Sequence, residues 1–107
     1  MKEIKTKYYP NGCKKHVIEY HHNGCKWRSK YFDEDEHYHN ENEPAWIDWY
    51  YSGRLEYISY RKHGKFHYPN NPSCRCYTKN SKMGYKFYYL DNERYSKLQW
   101  MNIIKNI

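Results

Sequence analysis

Apolar and aromatic positions fall in short alternating runs separated by turn formers, and no long apolar stretch interrupts them. Alternation with a period of two marks one face of a β-strand. It predicts strands over 14–20, 26–32, 45–51 and 54–61, with Ala45, Ile47, Trp49 and Tyr51 sharing one face. Between the runs stand Asn11-Gly12, Asn23-Gly24, Ser52-Gly53 and His63-Gly64. Gly12, Gly24, Gly53 and Gly64 can take the positive φ that two-residue hairpin turns demand. Pro44 and Pro72 have no N–H to give to a ladder, so they belong at strand starts or in loops. Only the end of the chain changes period. Ser96 is suited to cap a helix, and Trp100, Ile103 and Ile104 follow at helical spacing, which predicts a short helix over about 96–105. Placed over one end of a sheet, that helix would protect an exposed edge.

The chain also resembles itself. His39 and His67 are each followed five residues later by a proline, Pro44 and Pro72, and then by a small residue, Ala45 and Ser73. A shift of 28 residues that superposes these motifs also brings Trp49 onto Tyr77, Tyr57 onto Tyr85, Tyr60 onto Tyr88 and His63-Gly64 onto Asp91-Asn92. The same shift backwards brings Asp35-Glu36 onto His63-Gly64, while Asn23-Gly24 needs one extra residue to reach Ser52-Gly53. A fixed period of this length is the mark of a repeat architecture. It divides a single domain, 1–107, into a partial repeat at about 7–20, repeats at about 21–48, 49–76 and 77–95, and the terminal helix. The fold class predicted is all-β: an antiparallel meander of repeated hairpins forming one elongated sheet, with a short C-terminal α-helix.

Composition changes what kind of core to expect. Val, Ile, Leu and Phe together number only 14 of 107 residues, whereas 22 residues are aromatic and 15 of those are Tyr. Rings of this kind cover a half-buried sheet with the polar end left wet. The expected structure is therefore thin and aromatic. The net charge of +7 is uneven, running +6 over 1–30, −7 over 31–56 and +8 over 57–107. A basic, acidic, basic order argues against one continuous polyanion groove. With no apolar run after Met1 and none long enough to span a bilayer, the sequence predicts a soluble intracellular protein that is not secreted.

At these residues a family comes into view. Trp49-Tyr-Tyr-Ser-Gly-Arg54, then His63-Gly-Lys-Phe-His67, then Pro72-Ser73, resembles the variant MORN-type repeat. That repeat occurs in antitoxin-type bacterial proteins and in the small repeat proteins of large DNA viruses of amoebae. The ending from Tyr88 through Tyr95 and Ser96 to Trp100 is similar to the close of many such viral proteins. The family's Arg after the motif His is Asn40 in one copy and Tyr68 in the other, and its Gly before Pro is Glu43 and Asn71. The resemblance implies a repeat-sheet fold and, with a viral source, a virion component or host-directed adaptor. It fixes no activity, because repeat type does not determine function.

Candidate chemistry is sparse. No nucleophile elbow or phosphate-cradling loop is present, so no catalytic residue and no cofactor is assigned. Cys74 and Cys76 would point to one face of a strand and are weak candidates for a metal, with His16, His37 or His39 as further donors, but their spacing is not that of a zinc ribbon. Free structural thiols are the plainer reading. Asp33-Glu34-Asp35-Glu36 lacks the spacing of a calcium loop and reads as a solvated hairpin tip. Trp27, Arg28 and Lys30, with Trp49, Tyr57 and Lys62, interleave rings and cations as binding surfaces do. The reading is a non-enzymatic protein-interaction or structural module with a protein partner. A nucleic-acid binder is the alternative, and an antitoxin-like immunity protein the second.

Overall fold

A computed structural model describes residues 3–67, 73–80 and 82–105; Pro72 of the repeat motif, and Tyr68 and Asn71 of the family comparison, lie outside the described residues. The fold is all-β with one short helix. In chain order the elements are β1 (Ile4–Tyr8), β2 (Lys14–Tyr20), β3 (Lys26–Tyr31), β4 (Trp46–Trp49), β5 (Leu55–Ser59), β6 (Arg61–Lys62), β7 (Lys65–Phe66), β8 (Cys74–Tyr77), β9 (Met83–Leu90), β10 (Glu93–Tyr95) and α1 (Lys97–Lys105). Eight strands form one open antiparallel sheet in the order β1-β2-β3-β4-β5-β8-β9-β10, and β6 and β7 form a separate small hairpin between β5 and β8. The body measures 47 × 40 × 16 Å, the thickness of one sheet and its side chains. No helix among the described residues is long and apolar enough to cross a membrane.

The glycine turns are larger than two residues. Around Gly12 the Tyr9 N–H donates to the Cys13 carbonyl at 2.8 Å and the Gly12 N–H to the Tyr9 carbonyl at 3.0 Å, and the turns at Gly24 and Gly53 repeat this pattern. These are three-residue loops with a final left-handed glycine, which re-aims the chain to match the strand twist. Just beyond each of these three loops, and again early in β9, the register slips by one, so that Lys15, Trp27, Glu56 and Gly84 have no opposite number across their hairpins. Such bulges increase local twist. The turn at His63-Gly64 does have two residues, both at positive φ (48° and 88°).

The 28-residue period is built into the bonding. Left-handed residues recur at Glu36, Gly64 and Asn92. The motif histidines hold these turns: His39 Nδ1 accepts the His63 N–H and His67 Nδ1 accepts the Asp91 N–H, both at 2.9 Å. The bridge Phe32–Tyr38 corresponds to Arg61–Phe66 and then to Arg94–Tyr89. The single extra residue needed by the sequence alignment sits in the first of these turns, where 34–36 form three residues instead of two. The motif's small residue has a packing role, since Ala45 and Ser73 are both 0 % exposed.

Three details depart from the sequence expectation. Tyr51 belongs to a turn, not a strand, and is exposed. Ile103 is exposed on α1, whose buried anchor is Trp100, and Asp33 is buried although its neighbours 34–36 are solvated. The helix is capped as expected. Ser96 Oγ accepts the Gln99 N–H at 3.2 Å while Gln99 Oε1 accepts the Ser96 N–H at 3.0 Å, a reciprocal box that satisfies two end donors.

Inside the sheet, His16 stacks on Tyr31 with ring centroids 3.8 Å apart and bonds Ser29 Oγ at 2.8 Å. Burial, reinforced by Lys7 and Lys26, holds its imidazole below the usual histidine range. As pH falls through about 6.5 the unfolded chain takes up a proton there before the folded one does, so stability falls. A melting temperature that declines between about pH 7.5 and 5.5 should decline less steeply in His16→Gln. Parallel curves for the two proteins would assign the decline to other groups.

Candidate functional site

Register places the candidate residues in rows. Glu19, Arg28, Asp48, Tyr57, Cys76 and Tyr85 stand opposite one another from β2 to β9. Two residues away along each strand, and so on the same face, run Val17, Lys30, Trp46, Ser59, Cys74 and Phe87. Ile18, Ser29, Ile47 and Ile58 occupy the opposite face.

The basic-aromatic strip does come together, but its cations are engaged. Arg28 binds the Asp48 carboxylate through Nε at 2.7 Å, and that carboxylate also accepts the Trp46 indole N–H at 2.9 Å. The bond to Asp48 holds the guanidinium more firmly charged than usual. Its plane lies 4.7 Å from the Trp27 ring centre and 4.9 Å from that of Trp46, distances at which cation and ring attract. Lys30 pairs with Glu19 at 3.6 Å and also approaches Trp46. Lys62 is not part of the strip. It lies in the separate β6–β7 hairpin and pairs with Glu41 at 2.9 Å. The Lys26 ammonium lies 5.8 Å from the Trp49 ring centre, near the edge-on contact of His21 with Tyr51, and Trp49 does not line the cleft described next.

The same face carries an open groove of about 650 Å³, walled by Trp46, Tyr50, Tyr57, Tyr77 and Tyr85 with Asp48, Glu56 and Arg61 among its polar groups. Tyr50 is fixed by donating its hydroxyl to the Tyr77 carbonyl at 2.7 Å. The Cys74 thiol donates to the Tyr57 oxygen at 3.2 Å, and burial pushes the Tyr57 hydroxyl up to about 12, so it stays protonated. Arg61 lies 3.9 Å from the centre of the Phe66 ring and 5.3 Å from that of Tyr38. Its Nε is buried without a hydrogen-bond partner, and no carboxylate among the described residues pairs with it. Of the residues singled out from sequence, Tyr57 and Cys76 line this groove. Trp46, Arg61 and Tyr85 were missed, although each falls on the alternating face of a strand or its extension.

A second cluster lies at the turn 33–37. Asp33 Oδ1 accepts the N–H groups of Asp35 and His37 at 2.9 and 2.8 Å. Its other oxygen receives His63 Nδ1 at 2.8 Å and lies 3.3 Å from His37 Nδ1. Burial resists ionisation of Asp33, but the bonds from His63 and the two backbone groups outweigh it and hold the carboxyl at about 2. The His63 ring stacks on His39 at 4.1 Å, and His39 Nε2 donates to Glu41 at 2.9 Å. Cys74 and Cys76 share a face, but no described His, Asp or Glu joins them in a ligand cluster, and burial raises both thiols. All four cysteines are free.

Comparison with protein-family models, with curated proteins and with solved structures returns no match.

Proposed function

We propose that this protein is a non-enzymatic interaction module that receives a segment of a protein partner in the aromatic groove, the segment bringing a carboxylate to Arg61 beside an apolar side chain. The observation that carries this reading is the groove itself: five aromatic walls around an arginine that no described carboxylate satisfies. Aromatic rings supply contact area at low entropic cost, and Arg is the usual charged anchor of such surfaces. A variant MORN-type repeat protein, as an adaptor or virion component, is compatible with this role. Nucleic-acid binding is less well supported, because Arg28, Lys30 and Lys62 each already face an internal carboxylate.

The test is selection of binders from a random peptide library on the purified protein. Selected peptides should carry Asp or Glu next to an apolar residue, and Tyr85→Ala and Arg61→Gln should each weaken them about tenfold or more. Tyr85 is 69 % exposed, so its loss should leave the melting temperature unchanged. Peptides indifferent to both substitutions would reject the groove. Tight binding to single-stranded nucleic acid that collapses between about 50 and 200 mM salt would reject the reading in favour of a polyanion partner.

A further inference from the structure

We propose that Asp33, Asp35, His37 and His63 form a binding site for one divalent transition cation, of the zinc class. Asp33, Asp35 and His37 place one ligand atom each within 4.8 Å of one another. His63, from the next turn along the sheet, adds a second imidazole nitrogen on the same carboxylate oxygen that His37 faces. The cluster is therefore not a patch of acids but two nitrogens and two carboxylates, a donor set suited to zinc, cobalt or nickel more than to calcium. Around a tetrahedral ion with bonds of about 2.0–2.1 Å, neighbouring ligand atoms stand about 3.3 Å apart. Asp33, Asp35 and His37 form the compact part of the set, and His63 joins it through the Asp33 oxygen at 2.8 Å, so closure onto an ion requires the exposed His63 ring to turn toward the other ligands.

The fold does not require this cluster. At the equivalent positions of the following turns, Asp33 and His37 are replaced by Lys62 and Lys65, and then by Leu90 and Glu93. Those turns close with two residues instead of three. The added residue in the first turn carries the chain past the bridge with room for Asp35, and the Asp33 side chain is 8 % exposed, an unusual place for a carboxylate that serves only as a turn cap. Outer contacts orient the ligands, as metal sites generally need. Asp33 is fixed through its other oxygen by two backbone donors, and the His63 ring rests on His39, itself tied to Glu41.

The experiment titrates the full chain, first freed of metal by a chelator, with zinc chloride and separately with cobalt chloride. One equivalent of cobalt should give the visible absorption of a tetrahedral nitrogen–oxygen site. His37→Ala and His63→Ala should each weaken binding by at least about tenfold, the loss already seen when only an outer partner of a ligand is removed. The His37 side chain is 57 % exposed, so apo His37→Ala should melt as the parent does; apo His63→Ala loses the bond to buried Asp33 and should melt somewhat lower, so its affinity is read at a temperature where circular dichroism shows it folded. Cys74→Ser/Cys76→Ser should bind as the parent does. A spectrum with thiolate charge-transfer absorption, lost in the cysteine variant and unmoved by His37→Ala, would overturn the assignment, and so would no binding at all.

Discussion

Trp100→Ala should destabilise the protein by about 3–5 kcal/mol, the range for truncating a buried large aromatic side chain. Trp100 is 7 % exposed and lies 4.7 Å from the ring of Tyr88, itself 6 % exposed on β9. A nine-residue helix is too short to hold its shape unaided in water. Trp100 is its buried anchor, since Leu98 and Met101 face solvent at 69 % and 47 %. Without the indole the capping box at Ser96 and Gln99 remains, but a cap is worth only about 1 kcal/mol. The helix should therefore leave β9 and β10 and uncover the end of the sheet. Urea unfolding followed by circular dichroism measures the effect, with Leu98→Ala as the comparison, expected within about 0.5 kcal/mol of the parent. Equal midpoints for the two variants would mean that the helix is not anchored through Trp100. For a domain whose total stability is of the order of 5–15 kcal/mol, the expected loss is a large part of the whole.

The repeat was legible in the sequence because each unit repeats its turn chemistry, and turn chemistry is local. Gly12, Gly24, Gly53 and Gly64 all adopt positive φ, and the motif residues His39 and His67 each brace the turn 24 residues on. The helix was legible for the same reason, with Ser96 and Trp100 at fixed spacing. Loop length was less so, because a three-residue loop with a left-handed glycine and a two-residue loop share the same dipeptide signature. What stayed hidden is what the register decides. Arg28 looked like a free cation until pairing put Asp48 directly opposite it. Trp46 stands next to Ala45 in the chain, yet it lies on the groove face only because the strand alternates there. Asp33 and His63 are 30 residues apart and meet only because successive turns stack. The 28-residue shift already superposed Asp35-Glu36 on His63-Gly64, which contains the hint that the two turns are neighbours. It carries no sign that their side chains converge.

Gly64→Val should cost about 1–3 kcal/mol from the backbone alone, because a β-branched residue is forced to φ near +88°. Positive φ by itself does not demand glycine at this point of the repeat, since Glu36 and Asn92 adopt 69° and 72° at the equivalent turns. The local space also differs, since a Cβ on Gly64 would already be in van der Waals contact with His37 and valine's γ-methyls would have to crowd that side chain. A Cβ on Gly64 would stand 3.4 Å from His37 Cβ, whereas one on Gly24, at φ +88°, would meet nothing within 4 Å. The two valine variants therefore separate the terms: Gly24→Val reports the dihedral cost, and the excess in Gly64→Val reports the contact with the 33–37 turn. Asn suits the left-handed region better than valine, so Gly64→Asn should lose less than Gly64→Val while keeping the His37 contact. Thermal melts of the three variants test this order. If Gly64→Val melts no lower than Gly24→Val, the 33–37 and 63–64 turns do not pack as described, and the stacking that brings His63 to Asp33 fails with them. If Gly64→Val is the lowest and Gly64→Asn lies between it and the parent, the tight approach of successive turns is the reason this repeat, unlike its neighbours, uses glycine.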